Sequence, residues 1–315
     1  MKKAISIILI MTTIITGAII ISFNISTSHE KELTDTIRKN LSGSFIKIPQ
    51  GTIHYNWHGP KKGPVLVMVH GFSTPQFVFD KNVPALVKAG FRVLTFDHFG
   101  RGYSDRPEGP YNEDFFDKEM IDLFKALKIT KPVYLFGYSL GGGISTVFTA
   151  RHPEMIKKLI IAAPVGFLDK PSGQNSLLMI PVLGEYLFSV IGIRTYIDAF
   201  EKEKQDGIAT KRMVKLFKEQ FNYKGTWNAL LSTFRSYPMD NLKSYYKRVG
   251  ASLIPVMFIW GAKDETVPFK GAAQVEKAIP HIKKTVIEDG THSIVYSHPQ
   301  MINKSTISFL KNKTL

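Results

Sequence analysis

The chain has 315 residues, of which 44% are hydrophobic and 21% charged, and this balance is that of an ordinary globular protein with a sizeable core. It contains no cysteine, which excludes disulfides, thiolate metal sites and a cysteine nucleophile. Lys and Arg number 41 against 26 acidic residues, a formal charge of +15. These basic residues are spread along the chain without a nucleic-acid-binding motif, so we expect no nucleic-acid partner. The charge then indicates a solvated surface, or attraction to an anionic membrane or cell wall.

The N-terminal segment has the pattern of a targeting signal. After Lys2 and Lys3, the run Ala4–Phe23 is uncharged and 20 residues long. About 20 residues cross a bilayer as a helix, whereas the core of a signal peptide has about 7–15. We therefore expect residues 1–28 to be a signal-anchor, a transmembrane helix that attaches the protein to a membrane with its main body outside the cytoplasm. The alternative is a signal peptide cleaved near Ser26–Ser28, which would give a secreted protein.

The rest of the chain alternates short apolar runs with helical patterns. Residues 29–44 are polar and charged, which indicates a stalk or a short helix. Apolar strands separated by helices are typical of a mostly parallel sheet with helices on both faces. The predicted strands are Phe45–Ile48, Thr52–Trp57, Val65–His70, Phe91–Asp97, Val133–Tyr138, Leu159–Ala163, Val256–Trp260 and Thr285–Glu288. The predicted helices are Gln76–Lys88, Asn112–Leu127, Leu140–Arg151, Ala272–Ala278 and one near Pro299–Lys311.

The alternation of strands and helices is interrupted between Val165 and about Lys247. This stretch is helical in pattern, rich in aromatic residues and Met, and has no convincing central strand. We therefore expect a helical cap at residues 165–247, inserted between a first core part at 45–164 and a second at 248–315. Ligand pockets are lined mainly by apolar and aromatic side chains, so the cap has the composition to line one.

Residues Gly137–Gly141 read Gly-Tyr-Ser-Leu-Gly and match the pattern G-x-S-x-G. The match lies where a predicted strand meets a predicted helix. A tight turn there strains the backbone of the central residue, and glycines on either side remove the Cβ atoms that would collide. The hydroxyl of Ser139 would then stand at the N-terminus of a helix, whose dipole favours a developing negative charge. The sequence therefore predicts that Ser139 is a nucleophile.

A serine nucleophile needs a base that takes its proton. The chain has nine histidines. When the order along the chain is Ser, Asp, His, the base follows the last strand of the sheet. His292 is in that position, whereas His281 precedes the last predicted strand and His298 stands at a helix start. We therefore assign the base to His292.

The base needs a carboxylate that orients it, and this carboxylate is expected after the preceding strand. Asp264 follows the strand Val256–Trp260. Its neighbour Glu265 would point elsewhere, and Asp289 suits a turn that shapes the histidine loop. Asp264 is therefore the third predicted catalytic residue.

Two further segments follow strands. In His70-Gly71-Phe72-Ser73, the backbone N–H of Phe72 would pair with that of Leu140 to form an oxyanion hole, while His70 holds the loop. The segment Asp97–Ser104 is Gly-rich but lacks the G-x-G-x-x-G order of a dinucleotide site, and indicates a structural turn braced by Asp97 and Arg101. No metal or organic cofactor is implied by these residues.

Taken in order, these motifs resemble those of the α/β-hydrolase fold superfamily over roughly Phe45 to Leu310. The motifs are H-G-F at His70, D-x-x-G-x-G-x-S at Asp97, G-Y-S-L-G-G at Gly137, W-G-x-x-D-x-x-x-P from Trp260 to Pro268, and D-G-x-H ending at His292. Relatives with this pattern include carboxylesterases, monoacylglycerol lipases, C–C bond hydrolases and cofactor-free perhydrolases. Ser139 at the turn between strand and helix argues against the dehalogenase and epoxide-hydrolase branches, which resemble this chain but have an aspartate at that position.

The N-terminal segment together with the apolar cap resembles membrane-attached monoacylglycerol lipases. The resemblance implies a serine hydrolase that cleaves carboxylic esters through an acyl-enzyme on Ser139. The expected substrate is a small-molecule or lipid ester, such as a monoacylglycerol or a medium-chain acyl ester. Two alternatives stay open: a C–C bond hydrolase that acts on ring-cleavage products, and a receptor that keeps the fold without chemistry.

Overall fold

The computed structural model describes residues 11, 17, 19, 21–25 and 28–312. Within these residues, eight strands form one sheet in the order β1-β2-β4-β3-β5-β6-β7-β8. The strands are β1 (Ser44–Ile48), β2 (Gly51–His58), β3 (Val65–Val69), β4 (Arg92–Phe96), β5 (Val133–Tyr138), β6 (Ile156–Ala162), β7 (Val256–Gly261) and β8 (Lys283–Ile287). The pairs β1–β2 and β2–β4 are antiparallel, and the other pairs are parallel. The predicted fold class is confirmed.

Burial along the strands follows their place in the sheet. Every residue of β5 and of β7 is buried, as expected for central strands that are covered on both faces. The edge strand β8 exposes Lys283 and Lys284, and exposed lysines at an edge discourage pairing with another chain. The two strands that precede Ser139 and Asp264, the predicted nucleophile and carboxylate, are thus among the most deeply buried parts of the molecule.

The helices are mostly those expected from the sequence. In the described part of the chain they are α1 (Asp35–Arg38), α2 (Val83–Lys88), α3 (Glu113–Ala126), α4 (Leu140–Arg151), α5 (Leu183–Leu187), α6 (Ile193–Gln205), α7 (Lys211–Glu219), α8 (Thr226–Ser236), α9 (Lys243–Ala251), α10 (Ala272–Ala278), α11 (Ile294–Ser297) and α12 (Pro299–Lys311). The predicted helix Gln76–Lys88 is divided into a 3-10 turn at Gln76–Phe79 and α2. Pro84 explains the division, because proline lacks the N–H that a continuous helix would need there and fits the first turn of a new one.

Between β6 and β7, every element of the described chain is helical. Aromatic side chains hold these helices together: Phe200 of α6 lies 4.7 Å from Phe217 of α7, and Phe217 lies 5.4 Å from Phe221, measured between ring centroids. These contacts use the aromatic residues that the sequence places in the insert. The helical insert is defined here as the chain between β6 and β7.

The structure contradicts the prediction of a transmembrane signal-anchor. The predicted location of the main body outside the cytoplasm depended on that anchor and is corrected with it. Among the described residues, no helix combines the length and the apolar character needed to cross a bilayer. The described end of the segment contacts the helical insert instead: Phe23 packs edge to face on Trp227 at 5.7 Å, and Ser22 Oγ donates to Tyr186 Oη at 3.1 Å. Residues 1–10, 12–16, 18, 20, 26 and 27 of the predicted segment lie outside the described residues.

Candidate active site

Ser139 stands on a sharp turn between β5 and α4. Its φ of 56° and ψ of −120° belong to a strained region of backbone conformation that persists only where the surroundings enforce it. A Cβ atom on Gly137 would lie 2.3 Å from the carbonyl oxygen of Gly141, and one on Gly141 would lie 2.2 Å from that of Val69. Only glycine fits these two positions, so the G-x-S-x-G pattern is a packing requirement of the turn.

Ser139, His292 and Asp264 form a continuous hydrogen-bonded chain. His292 Nε2 lies 3.0 Å from Ser139 Oγ, and His292 Nδ1 lies 2.8 Å from Asp264 Oδ2. The side chain of Asp264 is fully buried, whereas that of His292 is 18% exposed. The structure therefore brings the three predicted residues together in the order nucleophile, base and carboxylate.

The surroundings of Asp264 and His292 fix their orientation. Asp264 Oδ1 accepts hydrogen bonds from the backbone N–H groups of Thr266 (2.9 Å) and Val267 (2.8 Å), which leaves Oδ2 for the imidazole. Tyr138 donates its hydroxyl to the backbone oxygen of His292 at 2.9 Å. With Nδ1–H donated to Asp264, the free lone pair of Nε2 faces the Ser139 hydroxyl, and this tautomer is the one that a general base requires.

The rejected candidates lie elsewhere. His281 contacts the backbone oxygen of Ile254 through Nε2 at 3.0 Å. His298 Nε2 lies 3.4 Å from Asp289, and Glu265 is exposed to solvent. These groups are therefore not part of the hydrogen-bonded chain at Ser139.

Phe72 and Leu140, for which we predicted an oxyanion hole, both line the cavity at Ser139. A Cβ atom on the neighbouring Gly71 would lie 3.2 Å from Ser139 Cβ, so the Phe72 loop runs directly beside the nucleophile. Leu140 is the first residue of α4, where backbone N–H groups lack a partner inside the helix. Within the described residues, neither the N–H of Phe72 nor that of Leu140 has a protein acceptor. Both N–H groups are therefore free to bind an oxyanion.

Arg101 supports the Phe72 loop from behind. Its guanidinium is buried, and it donates to the carbonyl oxygens of Phe72 (3.0 Å) and Phe99 (3.1 Å) and to the hydroxyl of Thr233 on α8 (2.8 Å). Burial lowers its pKa to about 10, which still leaves it cationic at neutral pH. One side chain thus joins the Phe72 loop, the predicted structural turn and the helical insert.

His70 holds the same loop, as predicted from its place at a strand end. Its Nδ1 lies 2.9 Å from the backbone oxygen of Gly71, and its Nε2 accepts the backbone N–H of His98 at 2.9 Å. Burial lowers the pKa of His70 to about 3, so the ring stays neutral and keeps its acceptor nitrogen. His70 thus holds the loop and is distinct from His292, the predicted base.

A buried carboxyl group lies under this loop. Glu119 of α3 accepts the backbone N–H of Phe99, and its second oxygen contacts His98 Nδ1. Burial raises the pKa of Glu119 to about 8 and lowers that of His98 well below its ordinary value. We infer a neutral pair at neutral pH, in which the protonated carboxyl donates to the neutral imidazole. Sequence reasoning did not identify this pair, because a Glu in a helix is usually exposed.

A cavity of about 400 Å³ adjoins Ser139 and His292, and most of its wall is apolar. The helical insert supplies much of this wall. The contributing side chains are Val165 and Leu168 before α5, Tyr196, Ala199, Phe200 and Glu203 of α6, Phe217 of α7, Phe234 of α8 and Met239. In the described part of the chain, no group of three or more His, Cys, Asp or Glu side chains is placed to hold a metal ion.

Glu203 was not identified from the sequence. A signal for it does exist: Tyr196, Ala199, Phe200 and Glu203 follow the spacing i, i+3, i+4, i+7, which places all four on one face of a helix. A charged residue on the same helix face as a row of apolar residues faces the same part of the protein as that row does. In this structure, the row faces the cavity.

Comparison with known proteins agrees with this architecture. The family model for the α/β-hydrolase fold matches residues 64–188, which include the strands and the turn around Ser139. The chain is 25% identical over 283 residues to the AB hydrolase superfamily protein YfhM of Bacillus subtilis, an alignment that covers 85% of this chain and 98% of that relative. The similarity therefore extends over most of both proteins.

Solved structures show the same fold. The bromoperoxidase from Bacillus anthracis superposes with a TM-score of 0.70 at 26% identity, covering 86% of this chain and 100% of that one. The enol-lactonase from Burkholderia xenovorans LB400 gives a TM-score of 0.71 at 18% identity, with 85% and 100% covered, and this likeness shows the fold alone. Together with the sheet order, the family match and these superpositions show that the chain has the α/β-hydrolase fold.

Proposed function

We propose that the protein is a serine hydrolase that cleaves carboxylic esters through an acyl-enzyme on Ser139. The observation that carries the proposal is the hydrogen-bonded chain from Ser139 through His292 to Asp264, with contacts of 3.0 and 2.8 Å. Nucleophile, base and orienting carboxylate at such distances are the arrangement that acyl transfer requires.

In the proposed first half-reaction, His292 Nε2 takes the proton of Ser139 while Oγ attacks the carbonyl carbon of the ester. The backbone N–H groups of Phe72 and Leu140 bind the oxyanion that forms. Asp264 keeps the imidazole in its tautomer and stabilises the imidazolium. His292 then gives its proton to the leaving alcohol, and water releases the acyl group in a second cycle with the same base.

The wall and the volume of the cavity indicate the class of substrate. Its apolar wall and volume of about 400 Å³ suit the acyl chain of a medium-chain ester or a monoacylglycerol, because apolar surface binds hydrocarbon by the hydrophobic effect. We propose that residues 165–247 act as a cap over the core formed by residues 45–164 and 248–315. The cap would then set the acyl-chain length that the enzyme accepts.

C–C bond hydrolysis could use the same three residues. The ring-cleavage products that such hydrolases cleave are acids, and an acid needs a cation to bind it. Lys and Arg are absent from the described residues that line the cavity, and this favours ester hydrolysis.

The test is hydrolysis of p-nitrophenyl esters from acetate to palmitate by the full chain, with Ser139→Ala as the background. We expect rates that depend on Ser139, peak at medium or long acyl chains, and fall on the order of 10³-fold or more in the variant. A peak at acetate would indicate a small-ester carboxylesterase. If the folded protein gives no serine-dependent rate and a fluorophosphonate probe fails to label Ser139, the proposal is wrong and a non-catalytic role becomes the better interpretation.

A further inference from the structure

Glu203 brings a carboxylate into a cavity wall that is mostly apolar. It belongs to the face of α6 that also carries Tyr196 and Phe200, and all three side chains line the cavity at Ser139. Glu203 is half-buried, and taking a carboxylate partly out of water beside apolar groups is costly unless hydrogen bonds compensate. A charge in this place therefore calls for a reason.

Two hydroxyl groups bind the Glu203 carboxylate, one at each oxygen. Ser293 donates to Oε1, and Tyr296 Oη lies 2.7 Å from Oε2. Both contacts suit a carboxylate, because each hydroxyl can donate its hydrogen to one of the two oxygens. Ser293 directly follows His292 in the chain, so the carboxylate is fixed next to the catalytic base.

The charges around the cavity do not neutralise Glu203. Lys81 donates its ammonium to the backbone oxygens of Ile208 and Tyr296, and it does not line the cavity. Arg101 lies behind the Phe72 loop with its guanidinium bound to backbone oxygens and to Thr233. Asp264 adds a second negative charge beside His292. A substrate in this cavity therefore meets a negative potential.

We propose that Glu203 is a specificity-determining residue that excludes carboxylate-bearing substrates from the cavity and makes the enzyme selective for esters with uncharged acyl and alcohol parts. This inference rests on the proposed ester hydrolysis. Two negative charges in a partly desolvated site repel each other strongly enough to change binding on the order of 10- to 100-fold. The same repulsion would exclude the acidic products of ring cleavage.

The experiment compares two pairs of chromogenic esters, each with one neutral and one carboxylate-bearing member. In the first pair the acyl part changes from 6-methylheptanoate to the monoester of adipic acid, so that a carboxylate replaces a branched methyl end. In the second pair the leaving group changes from 4-nitrophenol to 3-carboxy-4-nitrophenol with hexanoate as the acyl part. For the wild-type full chain we expect kcat/KM to be at least about 10-fold lower for the charged member of one pair or both.

Glu203→Gln keeps the shape of the side chain and one acceptor oxygen but removes the charge. We expect it to raise kcat/KM for the charged esters about 10-fold relative to the neutral ones. The matched control is Glu201→Gln on the same helix, which removes one negative charge that pairs with Lys204 and Lys218 and does not line the cavity. This control should leave both ratios unchanged.

The outcomes separate the inference from the proposed function. Equal kcat/KM for charged and neutral esters in the wild-type protein would overturn the inference even if Glu203→Gln fails to fold. An unchanged ratio in a folded Glu203→Gln protein, or an equal change in the Glu201→Gln control, would overturn it as well. Absence of Ser139-dependent hydrolysis of the neutral esters would overturn the proposed function, and the inference with it.

Discussion

The two oxygens of the Asp264 carboxylate have different partners, and this division makes the residue sensitive to a small change. Oδ1 accepts two backbone N–H groups, and Oδ2 faces His292 Nδ1 at 2.8 Å. In Asp264→Asn, the amide NH₂ would face Nδ1 and favour the wrong tautomer of the imidazole. We expect kcat/KM for a p-nitrophenyl ester to fall on the order of 10³- to 10⁴-fold with the fold unchanged. The exposed neighbour gives the control Glu265→Gln, and near-full turnover of Asp264→Asn would contradict the proposed role.

Single residues differ in how far the sequence predicts them. The grouping of Ser139, Asp264 and His292 could be predicted because each follows a predicted strand, and the carboxyl ends of parallel strands meet at one edge of a sheet. Glu203 is harder to predict, because its place in the cavity depends on how α6 packs on Phe217 and on the histidine loop. Such packing between elements distant in sequence leaves only a weak periodic signal in the helix itself.

At the scale of elements, the local sequence predicts the bounds of a helix or strand best where glycine or proline determines the backbone conformation. Helix α4 has the predicted bounds, Leu140–Arg151, because the glycine turn fixes its start. The predicted helix Gln76–Lys88 is instead broken before Pro84. Proline interrupts a helix even where the surrounding residues have a helical pattern. The segment from Lys31 to Arg38 also has partners that are distant in sequence. Lys31 forms a backbone β-bridge with Tyr223, and Arg38 forms an ion pair with Asp105. No local pattern in a polar segment announces such contacts.

Strand β6 and helix α12 are joined by one buried lysine. Lys158 is 5% exposed, and its ammonium donates to the backbone oxygens of Phe309, Leu310 and Asn312 at the end of α12. These oxygens have no partner inside the helix, and the negative end of the helix dipole favours a cation there. We expect Lys158→Met to lower the free energy of unfolding by about 1–3 kcal/mol, measured by urea denaturation.

The control for this experiment is the neighbouring Lys157. It is exposed, with its ammonium 5.2 Å from the ring of Tyr134, so Lys157→Met should cost no more than about 1 kcal/mol. Hydrogen exchange should show faster exchange in α12 for the Lys158 variant only. Equal stability of the two variants would mean that the lysine does not hold the helix.

For the whole molecule, the pKa of Glu119 links stability to pH. Its folded pKa is raised from the ordinary 4.5 to about 8 by burial, so the folded protein prefers the protonated acid. The resulting stabilisation is fully present below about pH 4.5 and is lost as the pH rises towards about 8. In that window we expect the free energy of unfolding to fall by up to about 1.4 kcal/mol per pH unit from this group. The measurement is urea denaturation between pH 5 and pH 8.

Glu119→Gln removes this titration and should flatten the dependence without abolishing it. His54 changes the free energy of unfolding with pH in the same direction. Burial lowers its pKa, but the ion pair with Asp97 outweighs burial and raises the pKa overall. Its stabilisation is present below its unfolded pKa and is lost as the pH rises through the folded value. An identical pH dependence of the wild-type and Glu119→Gln proteins would show that Glu119 does not titrate in this range.

Arg101 has a consequence for how such a molecule can move. Its guanidinium binds the Phe72 carbonyl in the core and the Thr233 hydroxyl on α8, and a buried charge that loses a hydrogen bond is strongly destabilised. If α8 swings outward to admit a substrate, the guanidinium either loses a partner or pulls Phe72 with it. If Phe72 is an oxyanion donor, as proposed, its N–H is in position only while α8 is seated, and substrate entry and turnover would then alternate in time.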